Sequence, residues 1–177
     1  MVPYEVTTLL DAETPPEGTT TLRAALASVP DGGTVTFDQS LNGKTLTLTL
    51  VGTAHSVLPG EVYSGGAFGG YQDRDYGRSA LYAKKNMTLD ASNLPDGITL
   101  AWGGGSASHA RVLAVYGNLT MRNIAIVSGY ASAEALDTTS QPWTLARGGG
   151  LAVWGTATLD RCTLGGNTVS GDLEGSR

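Results

Sequence analysis

The sequence predicts an all-β protein whose strands wind as a parallel β-helix, three strands to each coil. Three observations predict it. First, side chains alternate apolar and polar with a period of two along nearly the whole chain, the pattern of strands with one buried face. Second, "LAVYGNLTMRNIAI" (Leu113 to Ile126) and "LAVWGTATLDRCTL" (Leu151 to Leu164) match in length and nearly in pattern, about 38 residues apart. Third, Gly is abundant at 25 of 177 residues and only 15% of residues are charged, which argues for a turn-rich β protein and against a helical bundle or a disordered chain.

The exception to the period of two is "TTTLRAALASVPDGG". Leu22, Ala25, Leu26 and Val29 recur at helical spacing, Thr20 or Thr21 can supply the N-cap, and Pro30 with Gly32 and Gly33 ends the element. The strands that follow fall into sets of three. The first set is 35–37, 46–50 (Leu46, Leu48 and Leu50 on one face) and 81–83; the second is 87–89, 98–100 and 113–115. The third is 119–121, 124–126 and 151–153, and a fourth begins at 157–159 and 162–164. The repeated segment is then one junction seen on two successive coils. It should stack Leu119 on Ala157, Met121 on Leu159, Ile124 on Cys162 and Ile126 on Leu164, with coils about 4.8 Å apart.

An antiparallel sandwich is the rival, since it also has many short strands. Hairpin dipeptides do not punctuate these strands, and a sandwich does not require paired segments to match in register. Residues 1–33 read as an N-terminal cap, a strand in "YEVTTL" plus the helix at about 20–29, that covers the first coil. Residues 34–177 read as coils. After Leu164, "GGNTVSGDLEGSR" offers no clear third strand, so the C-terminal coil is expected to be incomplete and covered by further coils or another chain.

The net charge of −5 and the lack of any Lys or Arg run argue against nucleic-acid binding. No apolar stretch is long enough to span a membrane, and "MVPYEVTTLL" lacks the basic start and apolar core of a signal peptide. Cys162, the only cysteine, aligns with Ile124 and should face the core.

Two stretches resemble a known family. "VTTLLDAETPPEGTTTLRAALASVPDGGTVTFDQSLNGKTLTLT" resembles the N-terminal cap of bacterial right-handed parallel β-helix proteins, of pectin-lyase-like fold. Thr21 to Leu26 stand where that cap carries "SLREAI", with Thr for Ser and Ala for Glu. "RGGGLAVWGTATLDRCTLGGNTVSG" is similar to a polymorphic outer-membrane-type repeat, "GGAI" then "FxxN". Gly149, Gly150 and Leu151 fit its first part; Leu164 and Asn167 fit its second, with Leu for Phe. The resemblance implies a right-handed coil and an exported bacterial protein, extracellular or on the cell surface. The family holds adhesins, autotransporter passengers and polysaccharide-active enzymes, so function has to come from a site.

Spacing locates one. The long segments, 51–80, 101–110 and 127–150, all fall between the second and third strand of a set, so they should leave from one corner and stack into one face. Seven of the twelve Phe, Trp and Tyr side chains lie there: Tyr63, Phe68, Tyr71, Tyr76, Trp102, Tyr130 and Trp143. Asp73, Asp75, Arg78, His109, Arg111 and Arg147 lie among them or at the edges, with His55, Arg74, Glu134 and Asp137. Sugar rings pack on aromatic faces and their hydroxyls pair with carboxylates and Arg, so this face is expected to bind a glycan or cell-surface ligand. The bland reading is that the aromatics only pin the segments to the scaffold.

Catalysis has weaker signals. Asp73 and Asp75, with Arg147, could serve a polysaccharide lyase or glycoside hydrolase if the carboxylates stood about 5–9 Å apart; solvated carboxylates are the simpler reading. "DRDYG" has alternate Asp and then Gly, but Lys84 stands where an EF-hand needs Glu. "WGGGSASHA" lacks the Gly-x-Ser-x-Gly pattern, and its Gly run opens no helix for a phosphate. No metal or cofactor is expected. Asn86, Asn118 and Asn123, although "NMT" and "NLT" read as glycosylation sequons, are expected to bond backbone at coil corners. A third reading is a structural stalk that binds nothing.

Overall fold

The computed structural model describes residues 4–52, 78–104, 108–132 and 148–170. The described residues are mostly strand, with one α-helix among them, α1 (Leu22–Ser28), and every strand pair among them is parallel. A first sheet sets β1 (Glu5–Val6), β2 (Gly33–Phe37), β5 (Met87–Asp90), β8 (Leu119–Arg122) and β12 (Ala157–Asp160) side by side. A second holds β3 (Thr45–Leu48), β6 (Ile98–Trp102), β9 (Ile124–Val127) and β13 (Thr163–Gly165), and a third holds β4 (Ser79–Ala83), β7 (Arg111–Val115) and β11 (Leu151–Val153). The chain thus visits the first, second and third sheets in turn and then begins again. We call each visit a repeat: β2–β4, β5–β7, β8–β11, and a last one from β12.

Inward side chains stack in register. Val35, Leu89, Met121 and Leu159 form one column; Leu46, Leu100, Ile126 and Leu164 form another. Leu119 lies beside Ala157 as the repeated segment predicts, and Cys162 is half-buried against the core. No single repeat could bury such a column. Stacking removes each inner Leu from water, a contribution of about 1.5–3 kcal/mol per side chain.

The corners explain the Gly and Asn usage. Between the first and second sheets the residue entering the second strand is left-handed in every repeat: Gly43 (φ 66°), Gly97 (φ 68°), Asn123 (φ 56°) and Arg161 (φ 52°). Gly and Asn occupy that region most easily. Asn123 also donates its Nδ2 to Leu94 O at 2.6 Å. At the corner before the first sheet, side chains climb from repeat to repeat. Asp31 Oδ1 accepts from Asn86 N–H (2.7 Å), Asn86 Oδ1 from Asn118 N–H (2.9 Å) and Asn118 Oδ1 from Thr156 N–H (2.8 Å).

The N-terminal end is closed. Thr21 caps α1 by accepting from Ala24 N–H, and Leu22, Ala25 and Leu26 face the core. Lys85 Nζ donates to the carbonyls of Leu26 (3.0 Å) and Val29 (2.6 Å), neutralising the helix C-terminus. Asp11 Oδ1 accepts from Arg23 Nη2 at 2.8 Å, while Oδ2 accepts the amides of Thr49 and Leu50.

That clasp corrects one expectation. The strand predicted at 46–50 stops at Leu48, because Asp11 takes the next two amides out of the sheet, and Leu50 is exposed. A second correction concerns the C-terminal segment. A strand does follow Leu164: β14 (Thr168–Ser170) pairs with β10 (Tyr130–Ser132), itself inside the segment 127–150.

Candidate binding face

The connections β3 to β4, β6 to β7 and β9 to β11 all run from the second sheet to the third. Their starting points lie beside one another, Leu48 next to Trp102 and Ala101 next to Val127. So do their end points, Ser79 next to Arg111 and Leu113 next to Leu151. One corner therefore anchors segments 51–80, 101–110 and 127–150.

Of the residues expected to bind there, the structure describes Arg78, Trp102, His109 and Tyr130. Tyr63, Tyr71, Asp73, Asp75, Tyr76, Trp143 and Arg147 lie outside the described residues. So do His55, Phe68, Arg74, Glu134 and Asp137, and with them the carboxylates of the lyase or hydrolase reading. His109 and Tyr130 come together. Their rings stack with centroids 3.8 Å apart and an interplanar angle of 23°, and both are half-buried. The stack is held from below: Tyr130 N–H donates to Ala110 O, and β10 pairs Tyr130 with Thr168. Gly129 must be glycine, since a Cβ would collide with Gly149 O.

Trp102 does not join them. It is 7% exposed, part of the core, and its Nε1 donates to Ser108 O at 2.9 Å, which ties down the segment that follows β6. Its burial and this bond are what the pinning reading expects. Arg78 is exposed, and its carbonyl accepts from Arg111 N–H. Arg111, read from sequence as an edge residue of this face, is 1% exposed. Its Nε donates to Gly148 O and its Nη1 to Ser79 Oγ, both at 2.8 Å, so it ties the starts of β4 and β7 to the residues that lead into β11.

Two aromatics were missed by sequence reasoning. Tyr116 and Trp154 stack with centroids 4.3 Å apart and an interplanar angle of 9°, and Arg111 Cζ stands 5.9 Å from the Trp154 ring. Their equivalent places in "VYGN" and "VWGT" were the available signal. They follow β7 and β11, at the corner leading from the third sheet back to the first.

Charge is sparse on the described surface. On the outside of the first sheet Asp90 Oδ2 accepts from Arg122 Nη1 at 2.9 Å. Burial pushes the Asp90 carboxyl up, but bonds from the Ser92 side chain and amide and the Arg122 guanidinium outweigh it, so its pKa is lowered. The Ser40 side chain and amide likewise lower that of Asp38. Neither carboxylate is poised for proton transfer at neutral pH. Among the described residues no group of three or more His, Cys, Asp or Glu could hold a metal ion. A cavity of about 380 Å³ lies between α1 and β4, beside Glu13, Ala27, Tyr82, Lys84 and Gly52, the last at the foot of segment 51–80. Its other charged residue, Arg23, is committed to Asp11 and to the carbonyls of Ala80 and Leu50. Among the described residues no helix is long and apolar enough to cross a membrane. Comparison with family models, curated proteins and solved structures finds no match.

Proposed function

We propose that the three sheets are the faces of a right-handed parallel β-helix, and that the chain is an adhesin-like bacterial protein, extracellular or displayed on the cell surface. Its corner between the second and third sheets binds a glycan or cell-surface ligand, and further coils or another chain cover its last repeat. The observation that carries the binding assignment is the anchoring of all three long segments at one corner, with the His109–Tyr130 stack among their feet. Stacked rings held by strand pairing offer an ordered apolar step beside polar side chains, the combination that sugar recognition uses. The parallel order of the sheets, the left-handed corner residues and the cap that resembles "SLREAI" support the coil reading. No described residue favours a lyase or hydrolase.

The test is a glycan array with the native chain, a His109→Ala/Tyr130→Ala double variant and a Trp143→Ala variant, each checked for unchanged unfolding temperature. Binding by the native chain and its loss in the folded variants is the expected result. No binding, or binding that all variants retain, would return the corner to a structural role.

A further inference from the structure

The sequence holds a single Asn-Gly dipeptide, Asn42–Gly43, at the corner that leads into β3, where the first repeat lies against the second. In an open chain this dipeptide destroys itself. The Gly43 amide nitrogen, once deprotonated, attacks the carbonyl carbon of the Asn42 side chain, the bond to Nδ2 breaks, and ammonia leaves. Water then opens the cyclic imide at either carbonyl, to aspartate or to isoaspartate, whose main chain runs through the side chain. The balance is one water consumed and one ammonia released. Glycine makes the attack easy, because it has no Cβ to restrict or hinder the approach.

The second repeat holds both reacting groups. Gly43 N–H donates to Gly97 O at 2.8 Å, so the attacking nitrogen is committed to another strand's carbonyl. Asn42 Nδ2 donates to Asp96 Oδ2 at 2.8 Å and Asn42 Oδ1 accepts from Asp96 N–H at 2.9 Å, which fixes the carboxamide. The Asn42 backbone, at φ −53° and ψ 129°, turns the Gly43 nitrogen away from the Asn42 Cβ, whereas ring closure needs the two on the same side. A less reactive residue than Gly43 does not fit: it stands at φ 66°, and a Cβ there would lie 3.3 Å from Asp96 Cβ.

We infer that Asn42 is a latent deamidation site, kept unreactive by the Asp96–Gly97 clasp of the second repeat, and that its reaction parts the first two repeats at this corner. The product sets a carboxylate where Nδ2 stood. A donor facing Asp96 Oδ2 becomes an acceptor of the same charge, so the bond that protected the site turns into a repulsion and the change does not reverse. The site is separate from the glycan corner and from both ends of the stack.

The test is peptide mapping by mass spectrometry after incubation in mildly alkaline buffer, with a synthetic peptide of residues 38–47 as the open reference. The peptide should deamidate readily and the folded chain at least tenfold more slowly, since the chain reacts only through the small fraction in which this corner is open. An Asp96→Ala chain, shown to be folded by its urea unfolding, should react at Asn42 about tenfold faster than the native chain, because bonds to a charged group are lost. Asp31–Gly32 is the internal control. It forms the same imide with loss of water, and it is held at another corner, where Gly32 N–H donates to Asn86 O and Asp31 Oδ1 accepts from Asn86 N–H, both at 2.7 Å. Its isoaspartate should not rise in the Asp96→Ala chain. An Asn42→Asp chain, which carries the product, should lose about 2–4 °C in unfolding temperature, and Asp96→Asn should restore it by returning a donor to the pair. A native chain that reacts as fast as the peptide, an Asp96→Ala chain no faster than the native one, equal acceleration at Asp31, or an Asn42→Asp chain as stable as the native one would each overturn the inference.

Discussion

The two ends of this molecule carry the same inward pattern and treat it oppositely. At the N-terminal end Val35 and Phe37 of β2 and Val6 of β1, which pairs with Phe37, have no exposure, and the cap over them is held by Asp11–Arg23 and Lys85. At the other end Leu159, in the column of Val35, and with it Leu164 and Val169, have 40–49% of their surface in water. Alternation therefore decides which way a side chain points, and the neighbouring repeat decides whether it is buried. In a stack where each repeat touches only its neighbours, stability is a sum of such interfaces.

The largest expected effect breaks the closed end. Arg23 and Asp11 are nearly buried, with side-chain exposures of 14% and 2%, and Arg23 also donates to Ala80 O and Leu50 O. Arg23→Ala leaves a buried carboxylate and two carbonyls without these donors, so the loss should approach about 3–5 kcal/mol. Urea unfolding measures it; a loss under about 1 kcal/mol would mean that the cap contributes little to holding the first repeat.

A second comparison stays within one column. Leu89→Ala opens a cavity between two flanking repeats and should cost about 2–5 kcal/mol. Leu159→Ala removes a side chain that, among the described residues, has a stacked neighbour on one side only, and should cost less than half as much. Equal costs would show that something already covers the fourth repeat in solution.

How much of this was legible follows from what is local. The stacking of Leu119 on Ala157 could be read because a whole segment repeats, with the 38-residue spacing that separates Asn118 from its partner Thr156. The helix could be read from four apolar positions and a Thr cap. The β10–β14 pair could not: "YAS" and "TVS" are three residues each, too short for alternation to register among Gly and Ser. The end of β3 was hidden for another reason, because Asp11 reaches it from 38 positions away. At the candidate site, the common corner followed from spacing alone. The fates of Trp102 and Arg111 did not. Each sits where a segment meets a sheet, and there an aromatic or a guanidinium can serve core or ligand equally well; only the contacts with Ser108, Gly148 and Ser79 decide.

The smallest effect sharpens the contrast at the corner column Gly43, Gly97, Asn123, Arg161. Gly97 is hemmed in, since a Cβ there would lie 2.6 Å from Asn123 O. Arg161, in the last repeat, has no repeat stacked on it among the described residues, yet it holds φ at 52° with a side chain that makes only a 3.9 Å contact to exposed Asp160. An L residue in this conformation costs about 1–2 kcal/mol, while Gly adopts it freely and loses part of the gain to greater freedom when unfolded. Arg161→Gly should therefore stabilise the chain by about 0.5–1 kcal/mol, a shift of a few degrees in unfolding temperature at this size. The exposed ion pair it gives up contributes little. A lower unfolding temperature would mean that Arg161 is held by contacts of its own, and that the open end is better braced than its exposed Leu and Val side chains imply.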